Sequence, residues 1–82
     1  MKTIFTFGSD HINHKKINPL DTMMIVEAKN DSEAREIVMK SKIGRNFCTT
    51  YPYSKANLFK ERYNMKEYTM KELIKMISSK AN

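Results

Sequence analysis

The chain has 82 residues, 40% of them apolar, a net charge of +6 and a single cysteine. That length supports one domain with a core one layer deep, which excludes a large enclosed active-site cavity and leaves a shallow groove or a flat surface as the place for function. One cysteine excludes an internal disulfide and a cysteine-only zinc site and fits a reducing compartment. No apolar run resembles a signal peptide or a membrane span, so the expectation is a cytoplasmic protein with no membrane partner.

Residues 2–8 alternate polar and apolar and predict a first strand, with Phe5 and Phe7 on one face. Gly8 then releases the chain into a polar connection over 9–21 that carries His11, His14, Lys15, Lys16 and Pro19. Connections of about a dozen residues are uncommon in small domains and tend to be functional or mobile. The run from Met23 to Ala28 is apolar on both faces and predicts a central second strand. Asn30 followed by Glu33 resembles a capping box. Ala34, Ile37 and Val38 then share a helical face, Gly44 ends the helix, and Lys40, Lys42 and Arg45 complement its dipole.

Phe47, Thr49 and Tyr51 alternate with Asn46, Cys48 and Thr50, which predicts a third strand stopped by Pro52. Phe47 and Tyr51 then share a face, with Cys48 on the other as a small buried residue. Ser54 caps a short helix through Arg62, docked by Leu58 and Phe59, and Tyr63 to Tyr68 supply a fourth strand at an edge. Thr69 and Glu72 form a second capping box, after which Met70, Leu73, Ile74, Ile77 and Ala81 make one apolar stripe. The whole reads as a single α+β domain over 1–82, a mainly antiparallel sheet of three or four strands in the order ββαβ(α)βα, with the two longer helices packed on one face. Its expected core anchors are Phe5, Phe7, Ile25, Val26, Ile37, Val38, Phe47, Leu73, Ile74 and Ile77.

Candidate chemistry is sparse. His11, His14 and Asp10 could donate to a divalent metal, but in a loop the i, i+3 spacing fixes nothing and Lys15 and Lys16 repel a cation, so no metal is expected. A Cys48–His11 nucleophilic pair lacks any sign that the two meet. Neither a phosphate-cradling loop nor a dinucleotide fingerprint is present, so no catalytic residue and no cofactor are expected. The positive charge makes polyanions plausible partners, yet the lysines are scattered and read as a solvated surface. Tyr51, Tyr53, Tyr63 and Tyr68 interleaved with Lys55, Lys60, Arg62 and Lys66 are the ingredients of a stacking platform for nucleic acid, without the strand or helix motifs that would specify one.

Four segments form one pattern: Phe5-Thr6-Phe7-Gly8-x-x-His11, Val26-Glu27-Ala28, Ala34-Arg35, and Gly44-x-x-Phe47-x-x-x-Tyr51. The pattern resembles a family of small, uncharacterised bacteriophage and prophage proteins over residues 3–68. Ile43 stands where that family often has phenylalanine, Phe47 where it often has tryptophan, and the helix after Thr69 looks like an addition. The resemblance implies an accessory factor that binds and redirects host machinery, including defence systems, in an anti-CRISPR-like manner. The expected function is therefore non-catalytic binding of a host protein through a surface of His11, His14, Lys15, Lys16, Arg45, Tyr51 and Tyr53. Nucleic-acid or nucleotide binding is the alternative. A metal- or cysteine-dependent enzyme comes third.

Overall fold

Thr3 and Phe5 on one side of the first strand and Ile4 on the other are all buried, which only a central strand covered on both faces allows. In the computed structural model, which describes residues 1–78, this strand is β1 (Lys2–Thr6), flanked by β2 (Thr22–Glu27) and β3 (Thr50–Pro52). The sheet order is β3-β1-β2-β4, with β4 at Lys66–Thr69. β1 pairs antiparallel with β2 (Ile4 opposite Ile25) and with β3 (Ile4 opposite Tyr51), whereas β2 and β4 run parallel, Met23 opposite Glu67. The sheet is mixed, and the fold is α+β.

Helices α1 (Asp31–Met39) and α3 (Met70–Ser78) cover one face, where Phe5, Phe7, Met24 and Val26 meet Ala34, Val38 and Leu73. Ile37, Phe47, Ile74 and Ile77 pack half-buried at the margin of that cluster. The expectation that the two longer helices share one face holds, and the shorter α2 (Ala56–Tyr63) lies on the opposite face. The reason is the second apolar layer that the strands carry: Ile4, Met23 and the half-buried Ile25 need cover, and Ala56 and Phe59 supply it.

The third strand departs from simple alternation. Cys48 N–H donates to Thr6 O (2.7 Å) and Thr6 N–H donates to Thr49 O (3.0 Å), so Cys48 and Thr49 together oppose one residue, as in a β-bulge. The extra residue turns the chain over. Phe47 packs edge-on against Phe5 at 4.9 Å on the α1 face, while Tyr51 packs edge-on against Phe59 at 5.0 Å on the α2 face. Phe47 and Tyr51 thus do not share a face, and Cys48 is exposed rather than buried.

The capping box at Thr69 closes in full, and at the N-cap Asn30 the return bond goes one residue further back, to Lys29. Asn30 Oδ1 accepts from Glu33 N–H (2.8 Å), and Glu33 Oε1 reaches back to Lys29 N–H (3.2 Å). Thr69 Oγ1 accepts from Glu72 N–H (3.1 Å) while Glu72 Oε1 accepts from Thr69 N–H (2.8 Å). Gly44 does not end α1. The helix stops at Met39, where Ser41 turns its hydroxyl onto Val38 O (2.6 Å), and Gly44 serves a later turn at φ +59°. Ser54 caps nothing: a single 3-10 turn, Tyr53–Lys55, leads into α2, and Leu58 is 41% exposed, leaving docking to Ala56 and Phe59. Ala81 lies outside the described residues.

Candidate functional site

The connection after β1 is held to the body of the protein at both ends. Ile12 and Ile17 are buried in the cluster with Phe5, Phe7 and Ile43, so the loop has its own footing in the core. Between them the histidines act inward. Gly8 N–H donates to His11 Nδ1 (2.9 Å) while His11 N–H donates to Gly8 O (3.1 Å), closing a turn, and Lys16 N–H donates to His14 Nδ1 (3.1 Å). An Nδ1 that accepts requires the Nε2–H tautomer of neutral imidazole, and in His14 that Nε2 is buried without a partner. The loop ends in Asn18, whose Oδ1 accepts from Leu20 N–H (3.1 Å) at a 3-10 turn, Pro19–Asp21.

What this scaffold presents is mostly cationic, with Asp10 the one exposed carboxylate among residues 9–18. Asn13, Lys15 and Lys16 are exposed on the loop, and Arg45 is exposed on the turn before Phe47. The Thr6–Cys48 and Thr6–Thr49 hydrogen bonds bring both segments to the C-terminal end of β1. Among the described residues, ion pairs involve Arg35 with Asp31, Lys40 with Glu36 and Lys60 with Glu67, and none involves Lys15, Lys16 or Arg45.

Tyr51 and Tyr53 belong elsewhere. Tyr51 opposes Ile4 and faces α2, and Tyr53 follows Pro52, which opposes Thr3, so it sits toward the N-terminal end of β1. There Lys2 Nζ stands 5.0 Å over the Tyr53 ring, and the Tyr53 hydroxyl donates to Glu67 (3.2 Å), which also pairs with Lys60 Nζ at 2.8 Å. Tyr63 leans on Phe59 on the same face, but Tyr68 packs on the opposite one, so the four tyrosines share no stacking plane. Five of the seven residues read as a binding surface, His11, His14, Lys15, Lys16 and Arg45, gather at one end of β1, and the two tyrosines do not join them. Sequence reading missed Ile12 and Ile17, whose signal was two isolated apolar residues in a polar stretch.

The Glu67 network has a pH signature. The hydrogen bond from Lys60, seconded by that from Tyr53, holds the Glu67 carboxyl below its ordinary value of 4.5, and the same bond holds Lys60 above its ordinary 10.5. A depressed folded pKa contributes stability above the unfolded value and loses it as pH falls through the folded one. The raised Lys60 contributes below its unfolded value and loses it as pH rises through the folded one. Glu67→Gln is therefore expected to lower Tm at about pH 7 by a few degrees and to match the unsubstituted protein below about pH 3, as thermal unfolding at the two pH values would show. A deficit that persists undiminished in acid would mean that packing, not charge, is what the substitution removed.

A shallow pocket of about 220 Å3 lies on the far side of the sheet edge, lined by Met1, Thr3, Asp31, Thr50, Tyr51 and Pro52. Among the described residues no group of three His, Cys, Asp or Glu side chains is placed to hold a metal ion, and no helix is long and apolar enough to cross a membrane. Fold and surface together describe a small α+β domain with helices on both faces of a mixed sheet and a pinned basic loop at one end. Comparison with models of protein families, with curated proteins and with solved structures gives no match.

Proposed function

We propose that this chain is a non-catalytic binding protein of the bacteriophage accessory type, acting in the cytoplasm of a bacterial host and docking on an acidic surface of a host protein, a defence component included. The observation that carries the reading is the anchored loop: Ile12 and Ile17 sit in the core and His11 and His14 bond to backbone amides, so Lys15 and Lys16 are offered from a preorganised frame. Preorganisation spares a binding surface the entropy of ordering itself, and cations without internal partners need no ion pair broken before they meet an acidic one. The choice of a host protein rests on the resemblance to phage proteins.

The test is charge reversal of Lys15, Lys16 and Arg45 together, all exposed and outside the core. Tagged protein is used to capture partners from nuclease-treated lysate of infected cells. The expected result is one protein partner retained by the unsubstituted chain and reduced about tenfold or more by the reversal. Equal capture by both forms defeats the loop as the interface. Loss of all capture on nuclease treatment, with affinity for an oligonucleotide falling steeply with salt, would favour nucleic acid instead.

A further inference from the structure

The outer edge of β3 carries a second, distinct invitation. In an antiparallel pair the residues alternate between exchanging hydrogen bonds and facing away. Ala28 N–H donates to Met1 O (2.9 Å), and in that register the odd residues of β1, including Thr3 and Phe5, bond toward β2. The even ones bond toward β3, as the Thr6 bonds show. Phe5 opposes Thr50 and Thr3 opposes Pro52, so Thr50 and Pro52 turn their backbone groups outward. As β3 ends the sheet, Thr50 offers a free N–H and C=O and Pro52 a free C=O, and the nitrogen that cannot donate is one that no strand uses.

The same residues line the shallow pocket, together with Thr3 and Asp31. Thr3 shares the α1 face with Phe5, is 1% exposed, and its Oγ1 has no hydrogen-bond partner. A buried hydroxyl left unmet is costly and calls for an explanation. Beside it Asp31 gives only Oδ2 to Arg35 Nε (3.1 Å), leaving Oδ1, and Thr50 Oγ1 accepts from Arg35 Nη2 (2.8 Å), leaving its O–H to turn. Arg35 already balances the Asp31 charge. The groups left over, an acceptor at Asp31 and hydroxyls at Thr50 and Thr3, ask for a neutral side chain that both donates and accepts hydrogen bonds.

We propose that the β3 edge is a docking site for an extended peptide segment of a partner protein, which pairs with the Thr50 backbone as a fifth strand and sets one serine, threonine or asparagine side chain into the pocket between Thr3, Asp31 and Thr50. Backbone pairing supplies the affinity and the pocket supplies the choice of side chain. This rests on the protein-binding reading above but not on the basic loop, and its test uses neither Lys15, Lys16 nor Arg45.

Random peptides of about twelve residues displayed on phage are selected on the full chain, and the selected peptides are synthesised and titrated by fluorescence anisotropy. The expected peptides carry a serine, threonine or asparagine at one fixed position. Thr50→Pro, which removes an outward N–H and the pocket hydroxyl that Arg35 holds but no bond of the sheet, is expected to weaken them about tenfold or more. Thr3→Val, which keeps the shape and removes the orphan hydroxyl, is expected to weaken them about fivefold while leaving the fold intact. Failure to enrich any peptide, or selected peptides that bind both variants undiminished, overturns the proposal. So does a dimer of the chain, seen by sedimentation, that Thr50→Pro turns into monomer, since the edge would then belong to a second copy. The charge-reversed loop protein should bind the same peptides, which keeps failure here separate from failure of the loop surface.

Discussion

Phe5→Ala is expected to cost about 4 kcal/mol and to lower Tm by about 20 °C, measured by thermal and denaturant unfolding followed by circular dichroism. Phe5 is 0% exposed at the centre of the sheet and meets Phe47 edge to face, with ring planes at 83°. Truncation to alanine removes the transfer energy of a ring and the aromatic contact, and leaves a hole beneath α1 and α3 that a small core cannot refill. Against a total stability of about 5–15 kcal/mol for a domain of this kind, the variant is marginal at physiological temperature. Phe5→Leu, which keeps most of the volume, should lose well under half as much. A loss under about 1.5 kcal/mol for alanine would show that α1 and α3 do not close over this face as described.

Ile17→Ala is expected to cost about 3 kcal/mol, and Ile12→Ala a similar amount. Combined, they should cost less than the sum, because a loop already released at one anchor has less to lose at the other. The diagnostic readout is local. Lys15 and Lys16 lie between the two anchors and are exposed, so trypsin should cut there about tenfold faster once the anchors are gone, under conditions where the rest of the chain stays folded. Amide exchange over residues 9–18 should rise in parallel while that of β1 and β2 holds. An unchanged cleavage rate at those lysines, with stability lost, would mean that the isoleucines serve the core and not the loop. It would also remove the preorganisation on which the proposed surface depends.

The parts of the fold that the sequence made legible are local ones. The two capping boxes need residues three apart, and Asn30 with Glu33 and Thr69 with Glu72 bond as their spacing predicts. The central strands announce themselves through apolar runs. What escaped depends on partners distant in sequence. The bulge is invisible because Cys48, Thr49 and Thr50 are small and tolerate either side of a strand, so nothing marks where the alternation breaks. The placement of α2 had a signal that went unused: apolar residues on both faces of the strands at Ile4, Met23 and Ile25 require two covering layers. The parallel pairing of β4 had none, since Lys66 to Thr69 are polar and take their place from β2.

For the candidate surface, residue type picked out the loop histidines and lysines, and the fold gathers them with Arg45. It could not pick out Tyr51 and Tyr53 as packing residues, because an aromatic that anchors an interface and one that braces a sheet look alike in sequence. Only their partners, Phe59 for one and Glu67 and Lys2 for the other, tell them apart. His11 and His14 carry a similar lesson. They attract attention as ligands or bases, yet each spends Nδ1 on a backbone amide, which makes them fasteners of the turn.

The doubled residue opposite Thr6 also sets how the chain tolerates a change in length. A chain lacking Cys48 would place Thr49 opposite Thr6 and Phe47 opposite Phe7 in unbroken register, and each aromatic ring would keep its own side of the sheet. The same loss between Ile4 and Phe7 would turn one part of β1 over against the other, driving core side chains into the wrong layer. This strand therefore holds a spare codon. Related chains one residue shorter at this point would be expected to fold alike, and a gapless comparison would misplace every residue beyond it.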